Sequence, residues 1–282
     1  MYLFEDPAYY IKSYNVFQSR LNKLEIMKEL TQTVFVKFVV ENLKTQDNKL
    51  RTLGVGSSSG HIETALIERL LDRFPDIENT VVEPSEDAVT EYKRLVNGKF
   101  ENVEYTWLNM TFEQFCDQLQ ATENKKKFHH ISAIDCMYHL DNFSDALTFL
   151  YDKLEEGGIM LIAICSAENG MHKAKVRYSK LPETCFITST DIMKICHKNK
   201  IPYQRYHHAC HTDITGLYSS DTVTEEEKLL LDFWIQVKGF KESVTESAYK
   251  EAINFIKSPD CSVERDGKLL LKNDFDLLFI QK

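Results

Sequence analysis

Leu53-Gly54-Val55-Gly56-Ser57-Ser58-Ser59-Gly60, followed by Val81-Val82-Glu83-Pro84-Ser85, decides how this chain reads. The first stretch is a buried strand that breaks into a glycine turn and opens a helix. The second is the next strand, ending in an acid. Strand, glycine turn, helix, strand and acid in that order form the unit with which a Rossmann-like sheet holds an adenosine-containing ligand. Gly56 permits a sharp bend and a close approach of backbone to ligand. Gly60 lets the helix sit close to the strand, and the helix start offers N–H groups to an anion. Gly56, Ser57 and Gly60 are therefore the candidate cofactor-binding positions of the turn. Glu83 stands where a carboxylate can accept both hydroxyls of a ribose.

Three serines fill the middle of the turn, so the dinucleotide pattern GxGxxG is not met: Gly54 and Gly56 are followed by Ser59. A pyrophosphate needs closer backbone approach than serine gives. A ribose carrying an amino-acid tail, as in S-adenosylmethionine, needs less. A nicotinamide dinucleotide is the weaker alternative, and a plain strand–turn–helix with a solvated glutamate is the bland one.

At 282 residues the chain suits one large α/β domain. We expect a single domain over 1–282, divided into a helical lid (1–44), a cofactor-binding core (45–166) and substrate-side helices and strands (167–282). A net charge of -9 argues against a nucleic-acid partner. No apolar run is long enough for a membrane span, and the opening Met-Tyr-Leu-Phe-Glu-Asp lacks a signal-peptide pattern. Seven scattered cysteines without a CxxC suit free thiols in a cytoplasmic protein and give no metal site. His207-His208-Ala209-Cys210-His211 is a cluster, but it lies in a strand-like stretch that splits it between two faces.

Strands are expected at 51–55, 79–83, 102–107, 129–134, 159–165, 203–209 and 275–281. Helices alternate with the first five, at 61–74, 85–96, 111–120 and 143–154. Further helices are expected at 4–44, 168–179, 189–199, 225–240 and 243–257, and a hairpin over 262–273 about Asp266-Gly267. Asp6, Ser85 and Thr224 read as helix caps. Alternating βαβ units imply a parallel sheet with right-handed crossovers. The order fits a class I methyltransferase: a Rossmann-like seven-stranded α/β sheet with the last strand inserted antiparallel, an N-terminal helical lid and a helical insertion. Ligands in such sheets sit outside the carboxyl ends of the strands. That rule gathers Gly56, Glu83, the stretch after Trp107 and Ile134-Asp135 around one crevice.

These residues resemble the histamine N-methyltransferase family over nearly the whole chain. The resemblance rests on Leu3-Phe4-Glu5-Asp6 with Tyr10, on 53–63, on Val81-Val82-Glu83-Pro84-Ser85 and on Glu91-Tyr92-Lys93-Arg94-Leu95-Val96. It continues through Met137-Tyr138, Ile187-Thr188-Ser189, Asp232-Phe233 and 267–273. It implies a monomeric cytoplasmic enzyme that moves a methyl group from S-adenosylmethionine to a nitrogen of a small amine, releasing S-adenosylhomocysteine. It also implies that Gly56 and Glu83 hold the cofactor, with Thr111, Phe112 and Ile134 flanking the adenine. Tyr138, Phe233 and Asn273 match substrate-pocket positions, as do Tyr10, Tyr14, Phe4 and Cys185. The departures gather in that pocket. A family glutamate falls on Lys23, a glutamine on Asp135 and a tyrosine on His139, and two tryptophans near Met171 and Lys175 are absent.

The chemistry sets its own demands. Methyl transfer to nitrogen is an in-line displacement, so the protein aligns the reactants and excludes water. Asp135, just past the fourth strand, can orient a substrate N–H or accept its proton with Tyr138 beside it; a helix cap or solvated carboxylate is the equal alternative. His139 reads as a pocket wall. Tyr10 and Tyr14 fall on one helical face with Phe17, either as core packing or as an aromatic lid, and with Tyr138 and Phe233 can box a cationic or planar ligand. Lys23 favours an acceptor bearing a carboxylate if it faces the pocket, and is a surface lysine otherwise. A methyltransferase-fold binding protein without turnover is the competing function.

Overall fold

The computed structural model describes residues 1–21, 23–45, 49–122, 125–182, 186–220 and 222–282. They form two compact units. One comprises 24–164, 191–206 and 277–282; the other comprises 1–23, 165–190 and 207–276.

In chain order the first helix is α1 (Pro7–Arg20), followed by α2 (Lys23–Leu30), which runs on as a π-helix over Thr31–Val40. Then come β1 (Leu50–Val55), α3 (His61–Leu71), β2 (Ile77–Val82), α4 (Glu86–Val96), β3 (Val103–Leu108), α5 (Phe112–Ala121), β4 (Phe128–Ile134), α6 (Phe143–Asp152) and β5 (Leu154–Cys165). The chain continues through α7 (Gly170–Tyr178), α8 (Ser189–Asn199), β6 (Tyr203–His208) and β7 (His211–Asp213). It ends with α9 (Glu225–Ile235), α10 (Phe240–Ser243), α11 (Glu246–Lys257), β8 (Ser262–Arg265), β9 (Lys268–Lys272) and β10 (Phe275–Gln281).

The main sheet has the strand order β3-β2-β1-β4-β5-β10-β6. The central strands β1 and β4 are buried along almost their whole length, as parallel strands under helices must be, and their polar residues Thr52, His129, His130 and Ser132 are buried with them. Neighbours from β3 to β5 pair in parallel. Strand β10 runs the other way. Its start meets the end of β5 (Ser166 N–H to Asp274 O, 3.0 Å), and its end meets the start of β5 (Gly157 N–H to Lys282 O, 2.9 Å). This is the class I methyltransferase arrangement that the element order implies.

Register then positions the crevice. Val55 pairs with Val82 and aligns with Ala133, and Val82 pairs with Leu108. The residues that follow, Gly56, Glu83, Asn109 and Ile134-Asp135, thus leave the sheet at neighbouring points of its carboxyl edge. The split between outward-running β2 and β4 lies at β1, the switch point where such sheets bind ligands.

Three departures from the sequence reading have local causes. The last ten residues of the N-terminal helical region are π-wound, with a β-branched run that crowds an ordinary helix. Gly157-Gly158 does not end a helix; α6 stops at Asp152, and both glycines lie inside β5, opposite a register shift at Phe128/His130. The predicted 225–240 helix stops at Ile235, because Gln236 turns into the left-handed region at φ 63°.

In the second unit, α1 packs on α9. Buried Asp232 ties their ends, accepting from Tyr9 Oη (2.8 Å), Gly239 N–H (2.6 Å) and Phe240 N–H (2.9 Å). Asp6 caps α1 through Tyr9 N–H at 3.1 Å. The predicted hairpin forms as β8–β9, with Asp266 (φ 52°) and Gly267 (φ 72°) as its two-residue turn. The histidine-rich strand stops at His208, and His211 starts β7, which joins β9 in a separate sheet. His207 Nδ1 there meets Asp276 Oδ1 at 2.8 Å. Among the described residues no helix is long and apolar enough to cross a membrane.

His130 gives a pH test of the first unit. It is buried in β4, its Nδ1 2.9 Å from Ile159 O and its ring against the edge of Phe35 at 5.2 Å. Burial pushes its pKa down to about 4. The unfolded chain therefore binds a proton near pH 6.5 that the folded chain refuses, so this contribution is present above pH 6.5 and lost as pH falls towards 4. Wild type is expected to lose about 3 kcal/mol more than His130→Asn between pH 7 and pH 4, read by urea unfolding. Equal losses would remove His130 from the acid response.

Candidate active site

The glycine turn is enclosed from both sides. Gly56 sits at φ 61°, and a Cβ there would meet Cys136 Cβ at 2.7 Å. Gly60 sits at φ 75°, and a Cβ there would fall 2.1 Å from the ring of Tyr92. The turn closes on itself through Gly60 N–H to Ser57 O (3.0 Å), and Gly56 N–H reaches across to Val82 O (2.9 Å). Helix α3 starts on Gly60 without a capping side chain, whereas α4, α5, α6, α7, α9 and α11 each carry one. Its first-turn N–H groups are thereby left for an anion.

Glu83 is buried at the end of β2. Its Oε2 accepts from Ser58 N–H at 2.8 Å and its Oε1 from Ser85 N–H at 2.9 Å. Asn109 Nδ2 donates to Glu83 O and Pro84 O, both at 3.0 Å. The carboxylate is fixed between the turn and the start of α4, and each oxygen keeps a further lone pair for a ribose hydroxyl. The site thus fits an adenosine-bearing cofactor on its own donors and acceptors.

Thr111 caps α5, its Oγ1 accepting from Gln114 N–H at 3.3 Å. Phe112 is buried against Phe115 and Phe149. Ile134 is half-buried at the end of β4. Asp135 follows in the left-handed region at φ 51°, its N–H on Ala163 O at 2.9 Å. Asp is among the few side chains that take this conformation readily, and such outliers gather at functional sites. Tyr138 lies in the short turn Met137–His139, its ring 4.5 Å from that of exposed His139.

The remaining candidates belong to the second unit. Tyr10 and Tyr14 stack at 6.2 Å, and both meet Phe233, at 5.9 and 5.8 Å. Phe17 stacks on Phe233 at 4.8 Å, so the predicted stripe on α1 is one wall of an aromatic cluster. Phe4 stacks on Tyr2 at 5.6 Å and is exposed. Lys23 Nζ lies 5.0 Å over the ring of Phe275. Asn273 is buried; its Nδ2 donates to Thr212 Oγ1 at 2.7 Å, while its Oδ1 has no hydrogen-bond partner among the described residues. A buried acceptor left unsatisfied is costly and marks a place for a donor from a ligand. Cys185 lies outside the described residues.

Sequence reasoning missed three supports: Cys136 behind Gly56, Tyr92 behind Gly60 and Asn109 under Glu83. The glycines announce a tight fit, but the partners come from the loops after β4 and β3 and from α4. A paired substitution tests this fit. Gly60→Ala must strain φ and displace Tyr92, and is expected to cost about 2–4 kcal/mol. Gly98→Ala, also at positive φ but with open space around it, is expected to cost only about 1 kcal/mol in the same denaturant titration. Equal costs would show that Tyr92 does not confine the turn.

The methyltransferase-domain family profile matches residues 27–199. Histamine N-methyltransferase of Danio rerio is 28% identical, over 99% of this chain and 97% of its own length. Histamine N-methyltransferase A of Xenopus laevis is 26% identical over the same shares, 99% and 97%. Among solved structures, the YcgJ protein of Bacillus subtilis aligns with a TM-score of 0.52 at 13% identity, covering 86% of this chain and 96% of that one. The plantazolicin methyltransferase BpumL, solved with a monoazolic desmethylPZN analog and SAH, aligns with a TM-score of 0.51 at 14% identity, covering 99% and 92%. The match covers the glycine turn, Glu83 and Asp135 together, and this chain belongs to the methyltransferase-domain family, among relatives that are histamine N-methyltransferases.

Proposed function

We propose that the protein is an S-adenosylmethionine-dependent N-methyltransferase acting on a small aromatic or heteroaromatic amine or amino acid, in the cytoplasm and as a monomer. The observation that carries it is the clamp on Glu83, whose two oxygens are fixed by Ser58 and Ser85 N–H groups beside the uncapped start of α3. S-adenosylmethionine, when bound, supplies a methyl group already activated on a sulfonium. Glu83 accepts the ribose hydroxyls. The first-turn N–H groups of α3 and the Gly56–Gly60 turn take the methionine carboxylate. Ile134 and the Thr111-Phe112 corner bound the adenine.

The acceptor nitrogen must present a free lone pair; a methylated amine or imidazole would be cationic and return to neutral by releasing a proton, from the amine nitrogen itself or from the other imidazole nitrogen, whereas a pyridine would keep its charge. Asp135 is the group to orient an N–H or take that proton, and its backbone is fixed by Ala163. Tyr138 supports the acceptor with its ring, and His139 forms the outer wall. Tyr10, Tyr14 and Phe233 offer aromatic faces suited to a planar or cationic amine. Asn273 Oδ1 offers an acceptor for an N–H. Lys23 and Phe4 act as outer recognition residues.

The first experiment is a labelled methyl-transfer screen against histamine, histidine, phenethylamines, tryptamines and simple pyridines. Transfer to at least one is expected; cofactor binding with no product from an extended amine panel would favour a binding protein without turnover. Glu83→Ala is expected to weaken S-adenosylmethionine binding by roughly 2–3 kcal/mol in calorimetry, with little change in amine affinity. Unchanged cofactor affinity would sink the ribose assignment. Asp135→Asn is expected to lower kcat about 100-fold with cofactor affinity kept. Full turnover in that variant would reduce Asp135 to a structural role.

A further inference from the structure

Beneath the glycine turn lies a buried polar cluster that the reaction does not use. Glu63, in the first turn of α3, points back under the turn and is only 7% exposed. Its Oε1 accepts from Asn79 Nδ2 at 2.7 Å, and Asn79 Oδ1 accepts from Thr52 Oγ1 at 2.7 Å. These bonds tie α3 to β2 and β1. A Cβ built on Gly54 would fall 1.9 Å from Glu63 Oε2 and 2.4 Å from Ser57 Oγ. Gly54 has an ordinary strand backbone, so what demands glycine there is space, and Glu63 fills that space.

We propose that Glu63 is a positioning residue for the cofactor turn: its carboxyl group takes the place of a side chain at position 54 and holds Ser57 from below, so that Ser58 N–H meets Glu83. The role rests on the cofactor reading given above. Three features support it. Ser57 Oγ is buried on the protein side of the turn, so its backbone, not its hydroxyl, is what the turn offers outward. Tyr92 shares the cluster and presses on Gly60, so the turn is held at 54, 57 and 60 by one connected group. The titratable groups facing Glu63 are Tyr92 from α4 and Tyr105 from β3, both acids that remain neutral because burial raises them too. Burial raises the Glu63 pKa, and the hydrogen bond from Asn79 Nδ2 works against that rise. A neutral carboxylic acid carries one donor and matches a glutamine amide in its capacity to donate and accept.

The test compares wild type, Glu63→Ala, Glu63→Gln, Gly54→Asp and the double variant Gly54→Asp/Glu63→Ala, by calorimetric binding of S-adenosylmethionine and by thermal unfolding. Glu63→Ala is expected to bind at least tenfold more weakly while staying folded, and Glu63→Gln to stay within threefold of wild type. Gly54→Asp alone is expected to lower Tm, since two side chains then compete for one space. The double variant is expected to regain affinity to within threefold of wild type and to unfold above Gly54→Asp. Wild-type affinity in Glu63→Ala, or a double variant no better than Glu63→Ala, would overturn the proposal. A wild-type chain that binds no S-adenosylmethionine would overturn the cofactor reading and the positioning role with it, while the Tm pattern would still report the exchange of places. If Glu63→Ala does not fold, Glu63→Gln decides. A raised folded pKa gives stability that is full below the ordinary glutamate pKa of 4.5 and lost as pH rises through the folded value. Wild type must therefore lose stability relative to Glu63→Gln as pH rises from 4.5; parallel curves would overturn a buried neutral acid at this position.

Discussion

One carboxylate organises the edge of the sheet. Glu83 accepts from Ser58 on the turn that leaves β1 and from Ser85 at the start of α4. Those two N–H groups belong to segments that otherwise diverge, one towards α3 and the other towards α4. They meet at Glu83 because β1 and β2 end level, Val55 against Val82. Parallel strands with evenly spaced hydrogen bonds keep that register across the central pairs. A slip of one residue would turn Glu83 to the other face of the sheet.

The turn from Gly54 to Gly60 carries no cationic side chain, so an anion there would be met by backbone alone. Backbone N–H groups at the start of α3 supply partial positive charge in fixed directions, and glycine permits the approach. Such a site depends on backbone position more than on side-chain identity. Precision then has to come from beneath, where Cys136, Tyr92 and Glu63 leave no room for a side chain at 56, 60 or 54. The turn is shaped by exclusion as much as by attraction.

What was legible in the sequence follows from this division. The central strands are visible because each is short, bounded by turn residues and alternates with a helical segment. The caps at Asp6, Ser85 and Thr224 are visible because capping chemistry is local, and all three form. The Asp266-Gly267 hairpin is visible for the same reason. The break at Gln236 was not, because Gln236 takes a left-handed backbone without being glycine, and the contact that fastens the bend, Tyr9 Oη to Asp232, comes from α1. Glu63 reads from the sequence only as part of a helix, since its destination is set by Asn79 on β2. The resemblance puts Thr111 beside the adenine, while its side chain caps α5 by accepting from Gln114 N–H. Backbone landmarks were thus readable, while the destination of a polar side chain depended on partners distant in sequence.

Asp135 shows how such a scaffold constrains chemistry at the reacting edge. Its φ of 51° lies in a region that β-branched and bulky residues occupy only under strain. Its N–H is committed to Ala163 O, so the backbone cannot relax without disturbing the pairing of β4 with β5. The position therefore admits few residues, and asparagine, aspartate and glycine are the least strained. Among these, aspartate alone carries a negative charge and can accept a proton at neutral pH. Fold and the proposed chemistry meet here: the left-handed backbone favours a short polar residue, and the proposed transfer to nitrogen would use a carboxylate. Acceptor preference can then shift through neighbouring side chains while the backbone that sets the geometry of transfer stays fixed.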